Sequence, residues 1–167
     1  CDLAESIPEL PLLDLVIHNA GLAHRIPKSP EEERKFYQVN LFGTQNLIKG
    51  LSASLYPPKT FVFISTVAVY GLEQGEMISE MNIPNPQTPY ARSKYEAELL
   101  LQNWAREKRV NLIILRLPLV AGGQGTPGNL GAMIRAIRKG YYFRIGQGTS
   151  RKSMVLAQDI AVQLTRI

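Results

Sequence analysis

The stretch Thr60-Phe61-Val62-Phe63-Ile64-Ser65 decides the fold. Aromatic and β-branched residues favour strands, and a nearly continuous apolar run is typical of a strand that is covered on both faces. Similar runs occupy residues 12–18, which lead into the turn residues Asn19-Ala20-Gly21, and residues 110–117, which Pro118 terminates. The three runs predict buried strands that lie next to one another.

Helix signals separate these strands. Ser29, Pro30 and the glutamates after them predict a helix over residues 29–54, because a capping serine, an early proline and first-turn carboxylates favour a helix start. Thr88 and Pro89 predict a second helix over residues 88–108. The remaining predictions are a long loop over 67–87, a helix over 130–139, short strands near 142–145 and 153–156, and a last helix from about 158. Alternating strands and helices predict a parallel α/β sheet, in which ligands bind beyond the carboxyl ends of the strands.

Tyr90 and Lys94 stand four residues apart in the second predicted helix, so they share one helix face. A free tyrosine, with a pKa of about 10, is a poor base, and a nearby ammonium favours its phenolate. Lowering that pKa to about 7 requires about 4 kcal/mol, which a lysine, a cationic cofactor and a dry pocket can supply together. Taken alone, such a pair is more often a half-buried ring and a solvated lysine, so its neighbours decide the interpretation.

Composition narrows the class of protein. The 167 residues, 45% of them hydrophobic and 20% charged, fit one domain with a real core. The sequence has no apolar run of about 18 residues, so it predicts no membrane span. The one cysteine excludes an internal disulfide and gives no sign of a metal site, which makes the reducing cytoplasm the expected compartment. The net charge of +5 is compatible with polyanion binding, but the basic residues are scattered, so we expect no nucleic-acid partner.

Short motifs along nearly the whole chain resemble the extended short-chain dehydrogenase/reductase family of nucleotide-sugar epimerases, dehydratases and reductases. The motifs are Cys1-Asp2-Leu3, His18-Asn19-Ala20-Gly21, Val39-Asn40-Leu41-Phe42-Gly43-Thr44, Ile64-Ser65-Thr66-Val67-Ala68-Val69-Tyr70-Gly71, Tyr90-Ala91-Arg92-Ser93-Lys94, Leu115-Arg116-Leu117-Pro118-Leu119-Val120 and Arg151-Lys152-Ser153-Met154-Val155. The resemblance implies a Rossmann-like doubly wound parallel sheet, incomplete at its N-terminus, and an NAD- or NADP-dependent enzyme that acts on a nucleotide-diphosphate sugar.

The resemblance also implies roles for individual residues. Tyr90 takes the position of the general acid/base, Lys94 that of the residue that lowers the tyrosine pKa and binds the nicotinamide ribose, and Thr66 that of the hydroxyl that orients the reacting oxygen. The implied cofactor contacts are Asp2, Leu3, Asn19, Ala20, Gly21, Ser65, Tyr90, Lys94, Leu117 and Val120. The implied substrate contacts are Thr66, Asn129, Leu130 and Lys152.

Several of these residues also have simpler interpretations. Thr66 can just end a strand, and Asn19-Ala20-Gly21 can form a plain turn. His18 ends an apolar run and is predicted to be a core histidine with a hydrogen-bond partner. Asn40 is predicted to bond backbone groups within a helix kink, and Lys152 is equally well a surface charge.

Two features depart from the family pattern. The family begins with a glycine-rich turn at which a pyrophosphate approaches a helix N-terminus, and none precedes the first strand here. We therefore expect a fragment in which residues 1–120 form part of the dinucleotide-binding domain and residues 121–167 part of a substrate-binding region. Furthermore, Val67-Ala68 follow Thr66 where sugar 4,6-dehydratases of the family have Asp-Glu, which disfavours dehydration.

The sequence leaves several alternatives open. The reaction is that of a 4-epimerase or a 4-ketoreductase of the kind found in polysaccharide pathways, and neither the sugar nor the choice between NAD and NADP is specified. A non-catalytic dinucleotide-binding module of the same fold is the alternative function, although a mere binder has no need of a poised phenol. As in similar enzymes, the helices over 29–54 and 88–108 could pair with a second copy in a homodimer.

Overall fold

The computed structural model describes residues 2–23, 26–122, 128–143 and 151–167. Contacts divide the chain into two compact units, Cys1–Arg116 and Leu117–Ile167. The predicted domain boundary at residues 120–121 lies close to this division and stays a prediction. Within the described residues, no helix is long and apolar enough to cross a membrane.

The sheet of the first unit has the strand order β1-β2-β3, with β1 at Leu15–His18, β2 at Thr60–Thr66 and β3 at Asn111–Leu117. Strands β1 and β2 run parallel, and their register places His18 opposite Phe63. The predicted parallel α/β class is therefore confirmed. All three predicted strands are present, although β1 is shorter than the apolar run over residues 12–18.

A single helical stretch follows β1 in three parts: α1 at Pro30–Phe36, a π-helical segment at Tyr37–Phe42 and α2 at Gly43–Ser52. As predicted, Ser29 caps its start, and the Ser29 Oγ accepts a hydrogen bond from the Glu32 N–H at 3.4 Å. The kink predicted near Asn40 is the π-helical segment, in which the Asn40 side chain is buried. Such segments are frequent at functional sites.

Helix α3, at Pro89–Lys108, also begins where the sequence predicted. The Thr88 Oγ1 accepts a hydrogen bond from the Ala91 N–H at 3.2 Å, and Pro89 occupies the first helical position, where its missing N–H costs nothing. This cap places Tyr90 in the first turn of α3, beside the carboxyl end of β2.

The core lies between the sheet and helices α2 and α3. Strand residues alternate between the two sheet faces, and the face with Val16, His18, Phe61 and Phe63 meets the helices. Ile17 of β1 faces away from them and is 42% exposed. The buried cluster comprises Leu47, Ile48, Leu51, Phe61, Phe63, Ala97, Leu101, Trp104, Ala105 and Val110. Helices α2 and α3 are thereby fixed on the sheet face that carries Phe61 and Phe63.

The segment after β2 corrects one prediction. The sequence predicted a surface loop over 67–87, but Val67–Tyr70 form a 3-10 helix that Thr66 caps, with its Oγ1 accepting from the Ala68 N–H at 3.2 Å. Gly71 then turns the chain with φ of +66°, and a Cβ there would lie 1.8 Å from the Asn85 carbonyl oxygen. Only glycine fits this turn without a backbone shift. Apolar burial of Val69 and Tyr70 explains why this segment departs from a loop.

The second unit contains β4 at Leu119–Ala121, α4 at Gly128–Arg138, β5 at Met154–Leu156 and α5 at Ala157–Leu164. Strands β4 and β5 are parallel, with Val120 opposite Val155. The predicted helices and the strand near 153–156 are confirmed, whereas β4 was missed because three residues after Pro118 carry too little periodic signal. The strand predicted near 142–145 is wrong for Tyr142 and Phe143, and its other residues lie outside the described chain.

Candidate active site

Tyr90 and Thr66 meet at the carboxyl end of β2. Thr66 is the last residue of β2, and Tyr90 lies in the first turn of α3. Burial raises the pKa of Tyr90, and a hydrogen bond from the Thr66 hydroxyl partly offsets that by lowering it. A hydrogen bond that lowers the pKa of a phenol favours the phenolate, so the Thr66 hydroxyl is the donor and the Tyr90 oxygen the acceptor. The structure therefore brings together the two hydroxyls that the sequence paired.

Lys94 lies one turn further along α3 and is only 5% exposed. Its Nζ sits 4.0 Å from the centroid of the Phe63 ring. Burial lowers the pKa of Lys94 to about 8, while the charge of Glu98 raises it. At pH 7 the side chain is thus mainly the ammonium.

The pKa of Tyr90 is raised by burial and lowered in part by Thr66. The lowering expected from Lys94 together with a bound cationic cofactor stays a prediction. The ammonium instead lies against Phe63 and 3.8 Å from the point that a Cβ on Gly21 would occupy. In this structure Tyr90 therefore holds its proton at neutral pH.

The predicted cofactor loop, Asn19-Ala20-Gly21, follows β1 and is exposed. Asn40 fixes the residue after it: the Asn40 Oδ1 accepts from the Leu22 N–H at 2.7 Å, and the Asn40 Nδ2 donates to the Leu22 carbonyl at 3.1 Å. The same Nδ2 donates to the Ser93 Oγ at 2.9 Å, which ties the loop to α3. Asn40 therefore bonds backbone, as predicted, but the backbone is that of Leu22 after β1 and not that of its own helix.

His18 is the core histidine that the sequence predicted. The Thr44 hydroxyl gives its proton to the Asn40 carbonyl at 2.6 Å, so it accepts from the His18 Nε2, 2.9 Å away. Burial, together with the charge of Lys94, lowers the pKa of His18 to about 4. The ring is therefore neutral near pH 7.

A buried ionic cluster, missed by sequence reasoning, lies behind Lys94. It consists of Glu98 on α3, Ser65 on β2, Arg116 on β3 and Tyr70 in the 3-10 helix. The Ser65 hydroxyl donates to Glu98, so the predicted cofactor contact of Ser65 would fall to its backbone. Two sequence features could have indicated this cluster. One is the spacing of four residues between Lys94 and Glu98, and the other is a lone arginine inside an apolar strand.

The other predicted residues divide between the two units. In the first, Asp2 is exposed with its Oδ1 accepting from the Ala4 N–H at 2.9 Å, and the Leu3 carbonyl accepts from the Asn46 Nδ2 at 2.9 Å. In the second, Val120 and Lys152 are exposed and Leu117 and Leu130 are half-buried. The side chain of Asn129 lies outside the described part of the chain. The cofactor and substrate roles of all these residues stay predictions.

Comparison with known proteins defines the class. The model of the NAD dependent epimerase/dehydratase family matches residues 2–167. The chain belongs to the NAD dependent epimerase/dehydratase family, which confirms the predicted resemblance.

Individual relatives are a nucleotide-sugar reductase and a nucleotide-sugar epimerase. GDP-6-deoxy-D-mannose reductase of Pseudomonas aeruginosa is 38% identical over 116 residues, covering 68% of this chain and 37% of that protein. UDP-glucose 4-epimerase of Vibrio cholerae is 32% identical over 164 residues, covering 93% of this chain and 48% of that protein. The chain thus spans less than half the length of both curated relatives.

A solved structure gives the same result for the fold. The structure of RMD from Pseudomonas aeruginosa complexed with NADPH matches with a TM-score of 0.77 at 31% identity, covering 98% of this chain and 58% of that chain. The predicted Rossmann-like α/β fold is therefore confirmed. The predicted class of cofactor, NAD or NADP, agrees with the family and with the NADPH of this neighbour.

Proposed function

We propose that the protein containing this chain interconverts a hydroxyl and a ketone on a nucleotide-diphosphate sugar. Tyr90 exchanges the proton, Thr66 orients the reacting oxygen, and NAD or NADP supplies or accepts the hydride. The observation that carries the proposal is the Thr66–Tyr90 hydroxyl pair beside the buried Lys94 ammonium, at the carboxyl end of β2. Ligands of such sheets bind at this edge.

The residues fit proton transfer at a single oxygen. The Thr66 hydroxyl donates to the Tyr90 oxygen and so stabilises the phenolate that forms when Tyr90 gives up its proton. When Tyr90 takes a proton back, this stabilisation is no longer needed. Tyr90 therefore acts as an acid towards a ketone and as a base towards a hydroxyl. Partial burial of both side chains keeps this exchange away from bulk water.

The loop after β1 fits a nicotinamide cofactor. A Cβ on Gly21 would lie 3.1 Å from the Asn40 Oδ1 and 3.8 Å from the Lys94 Nζ. Because glycine has no Cβ, the space next to the Lys94 ammonium is left for a ligand. A cofactor ribose hydroxyl would accept from the Lys94 ammonium. Asp2, Leu3, Asn19 and Ala20 would hold the adenosine and phosphates, and Ser65, Leu117 and Val120 would border the nicotinamide. Asn129, Leu130 and Lys152 would hold the nucleotide of the substrate.

The two relatives reported above do not decide between the two reactions. One of those reported above is a reductase and the other a 4-epimerase. Val67-Ala68 after Thr66 provide no further acid or base for eliminating water, so the proposal excludes dehydration. It places the protein in the reducing cytoplasm, consistent with a single cysteine.

A homodimer formed through α2 and α3 is part of the proposal. A groove lined by apolar residues of both helices, including Ile48, Leu100 and Trp104, supports it. A second copy could cover this groove with the same helix pair, as expected of a twofold interface.

The test uses the complete protein with a panel of nucleotide-diphosphate sugars and both cofactors. Tyr90→Phe is expected to lower turnover by about 10² to 10⁴ while cofactor affinity stays unchanged, because only the proton-transfer group is lost. Tyr95→Phe, a neighbouring phenol on the same helix, is the matched control and should keep near wild-type turnover. If wild type and Tyr90→Phe bind cofactor equally and neither converts any sugar, the alternative of a non-catalytic dinucleotide-binding module replaces the enzyme.

A further inference from the structure

The segment Ser65–Tyr70 carries Thr66 from the end of β2 into the 3-10 helix. The parallel ladder between β1 and β2 ends at the pair His18 and Phe63, three residues before Thr66. On this side of the sheet, side-chain contacts must therefore fix the last residues of β2. Residues at both ends of the segment make such contacts.

The first end of the segment is held at Ser65, the residue before Thr66. Its side chain is buried, and its hydroxyl donates to the carboxylate of Glu98 on α3, which has no exposed surface. From β3, the Arg116 Nε donates to both oxygens of that carboxylate at 3.2 Å, and the Arg116 Nη2 donates to one at 2.7 Å. One carboxylate therefore ties Ser65 to two neighbouring elements.

The second end of the segment is held at Tyr70 by the same arginine. The Arg116 Nη1 donates to the Tyr70 Oη at 2.9 Å, and the guanidinium carbon lies 4.9 Å from the centroid of the Tyr70 ring. Next to it, the Val69 carbonyl accepts from the Asn85 N–H at 3.0 Å. The ion pair of Glu98 and Arg116 thus holds the segment at both ends.

Fold stability alone does not explain why charges occupy this place. A buried ion pair often stabilises a fold no better than well-packed apolar residues do, because both charges must leave water. Apolar residues cannot supply direction, whereas a guanidinium and a carboxylate fix the hydrogen-bond geometry of their partners. The partners here are Ser65 and Tyr70, one and four residues from Thr66.

We propose that Glu98 and Arg116 are positioning residues for Thr66. Their ion pair holds the segment Ser65–Tyr70 at both ends, so that the Thr66 hydroxyl stays directed at Tyr90. The consequence for catalysis rests on the proposed function, whereas the placement of Thr66 does not.

The direct test follows the Thr66 methyl group by NMR in the complete protein, labelled with ¹³C at the threonine methyl groups. Thr66→Ser, which lacks the methyl, identifies the resonance. Ser65→Ala and Tyr70→Phe each free one end of the segment and leave the ion pair intact. In both variants we expect the nuclear Overhauser effect between this methyl and the Tyr90 ring to weaken by about twofold or more, because the segment gains freedom of motion.

The double variant Glu98→Leu/Arg116→Leu frees both ends and should weaken the effect most. It leaves no buried charge alone, so it is suited to folding without the ion pair. Ser54→Ala is the control, because it also removes hydrogen bonds of a serine hydroxyl, those to Tyr56 in the loop before β2. It should leave the Thr66 signal unchanged.

Three results would overturn the inference. They are an unchanged Thr66 signal in the double variant, an unchanged signal in both single variants, and an equal change in Ser54→Ala.

Kinetics separates positioning from a merely structural role. With the substrate found for the wild type, the double variant is expected to lower kcat by about tenfold while the Kd of the cofactor stays within about twofold, because a small misplacement of a reacting group slows the chemical step. In a Thr66→Ala background the same change should cost almost nothing, since the hydroxyl that the ion pair places is already absent. A loss of equal size in both backgrounds contradicts positioning.

The two experiments also keep the inference apart from the proposed function. If the wild type converts no sugar but the Thr66 signal weakens as stated, the proposed function fails and the positioning of Thr66 stands. If the wild type converts a sugar and the Thr66 signal is unchanged in the double variant, the proposed function stands and the positioning fails.

Discussion

Lys94 lies between two buried polar networks of opposite character. On one side, Asn40, Ser93, Thr44 and His18 are neutral, and their hydrogen bonds link the loop after β1 to α3. On the other side, the ionic cluster around Glu98 links α3 to β2 and β3. Hydrogen bonds of neutral groups fix positions but contribute little to a neighbour's charge, whereas a fixed carboxylate changes the protonation of a buried amine.

The difference assigns one task to each network. The neutral side links the loop after β1 to the first turns of α3, and the ionic side links α3 to β2 and β3. Changes to either side should lower the free energy of unfolding, whereas changes to the neutral side, which fixes the loop after β1, should also weaken cofactor binding.

The largest effect is expected from Arg116→Leu in the complete protein. It leaves the Glu98 carboxylate buried without its partner, and we expect the free energy of unfolding to fall by about 3–5 kcal/mol. Urea unfolding monitored by circular dichroism measures it. The control is Arg116→Leu combined with Glu98→Leu, which removes both charges and should recover most of the loss. A double variant as unstable as the single one would show that the cluster stabilises by packing rather than by charge pairing.

The neutral network makes a prediction about pH. The pKa of His18 is lowered from 6.5 to about 4, so between these values the unfolded chain binds a proton that the folded chain does not. His18 alone thus lowers the free energy of unfolding by about 3 kcal/mol as pH falls from 6.5 to 4. In His18→Gln, whose amide can still donate to Thr44, this contribution should vanish.

The measurement compares the free energy of unfolding of wild type and His18→Gln from pH 7 to pH 4. The difference in the free energy of unfolding between wild type and His18→Gln should be constant above pH 6.5. Below pH 6.5 the wild type should lose stability relative to the variant. A wild-type slope in His18→Gln would mean that His18 is not held neutral.

Local signals predicted much of the fold. Ser29 and Thr88 mark helix starts because their cap hydrogen bonds reach only three residues along the chain. The capped 3-10 helix after Thr66 was not predicted, because its stability depends on the burial of Val69 and Tyr70 against distant elements. The same limit applies to β4, which is paired with a strand more than thirty residues away.

The site was predicted less completely than the fold, for the same reason. Tyr90 and Thr66 were paired by resemblance to a family, and the structure brings them together. Glu98 and Arg116 are 18 residues apart on a helix and a strand, so their contact becomes visible only after α3 packs on the sheet. The pKa of Tyr90 also depends on its burial in the folded chain, which spacing alone did not predict.

A smaller loss is expected from Asn40→Ala, which tests the neutral side directly. The change removes hydrogen bonds to Leu22 and Ser93, and we expect the free energy of unfolding to fall by about 2 kcal/mol. Cofactor affinity should fall with it, because the loop after β1 loses its hydrogen bonds to Asn40. Asn46→Ala, which removes one backbone bond to Leu3, is the control and should cost about 1 kcal/mol. Wild-type cofactor affinity in Asn40→Ala would contradict the role of the neutral network in holding the loop.

The smallest loss of stability is expected from a change at Gly21, in the loop after β1, which lies next to both Asn40 and Lys94. A Cβ there would lie 3.1 Å from the Asn40 Oδ1, tighter than an ordinary contact, and 3.8 Å from the Lys94 Nζ. Gly21→Ala should therefore lower the free energy of unfolding by about 1 kcal/mol and weaken cofactor binding. Gly43→Ala is a suitable control, because its Cβ would meet Leu3 at an ordinary 3.6 Å within a helix, where alanine is favoured over glycine.

A double-mutant cycle shows which neighbour causes the strain at Gly21. If the Asn40 oxygen is responsible, Gly21→Ala should cost little in the Asn40→Ala background, because the crowded atom is gone. Equal costs in both backgrounds would instead implicate Lys94 or the loop backbone. In that case the titration midpoint of Lys94 in Gly21→Ala becomes the decisive measurement, since crowding of the ammonium would displace it from Phe63 and change its burial.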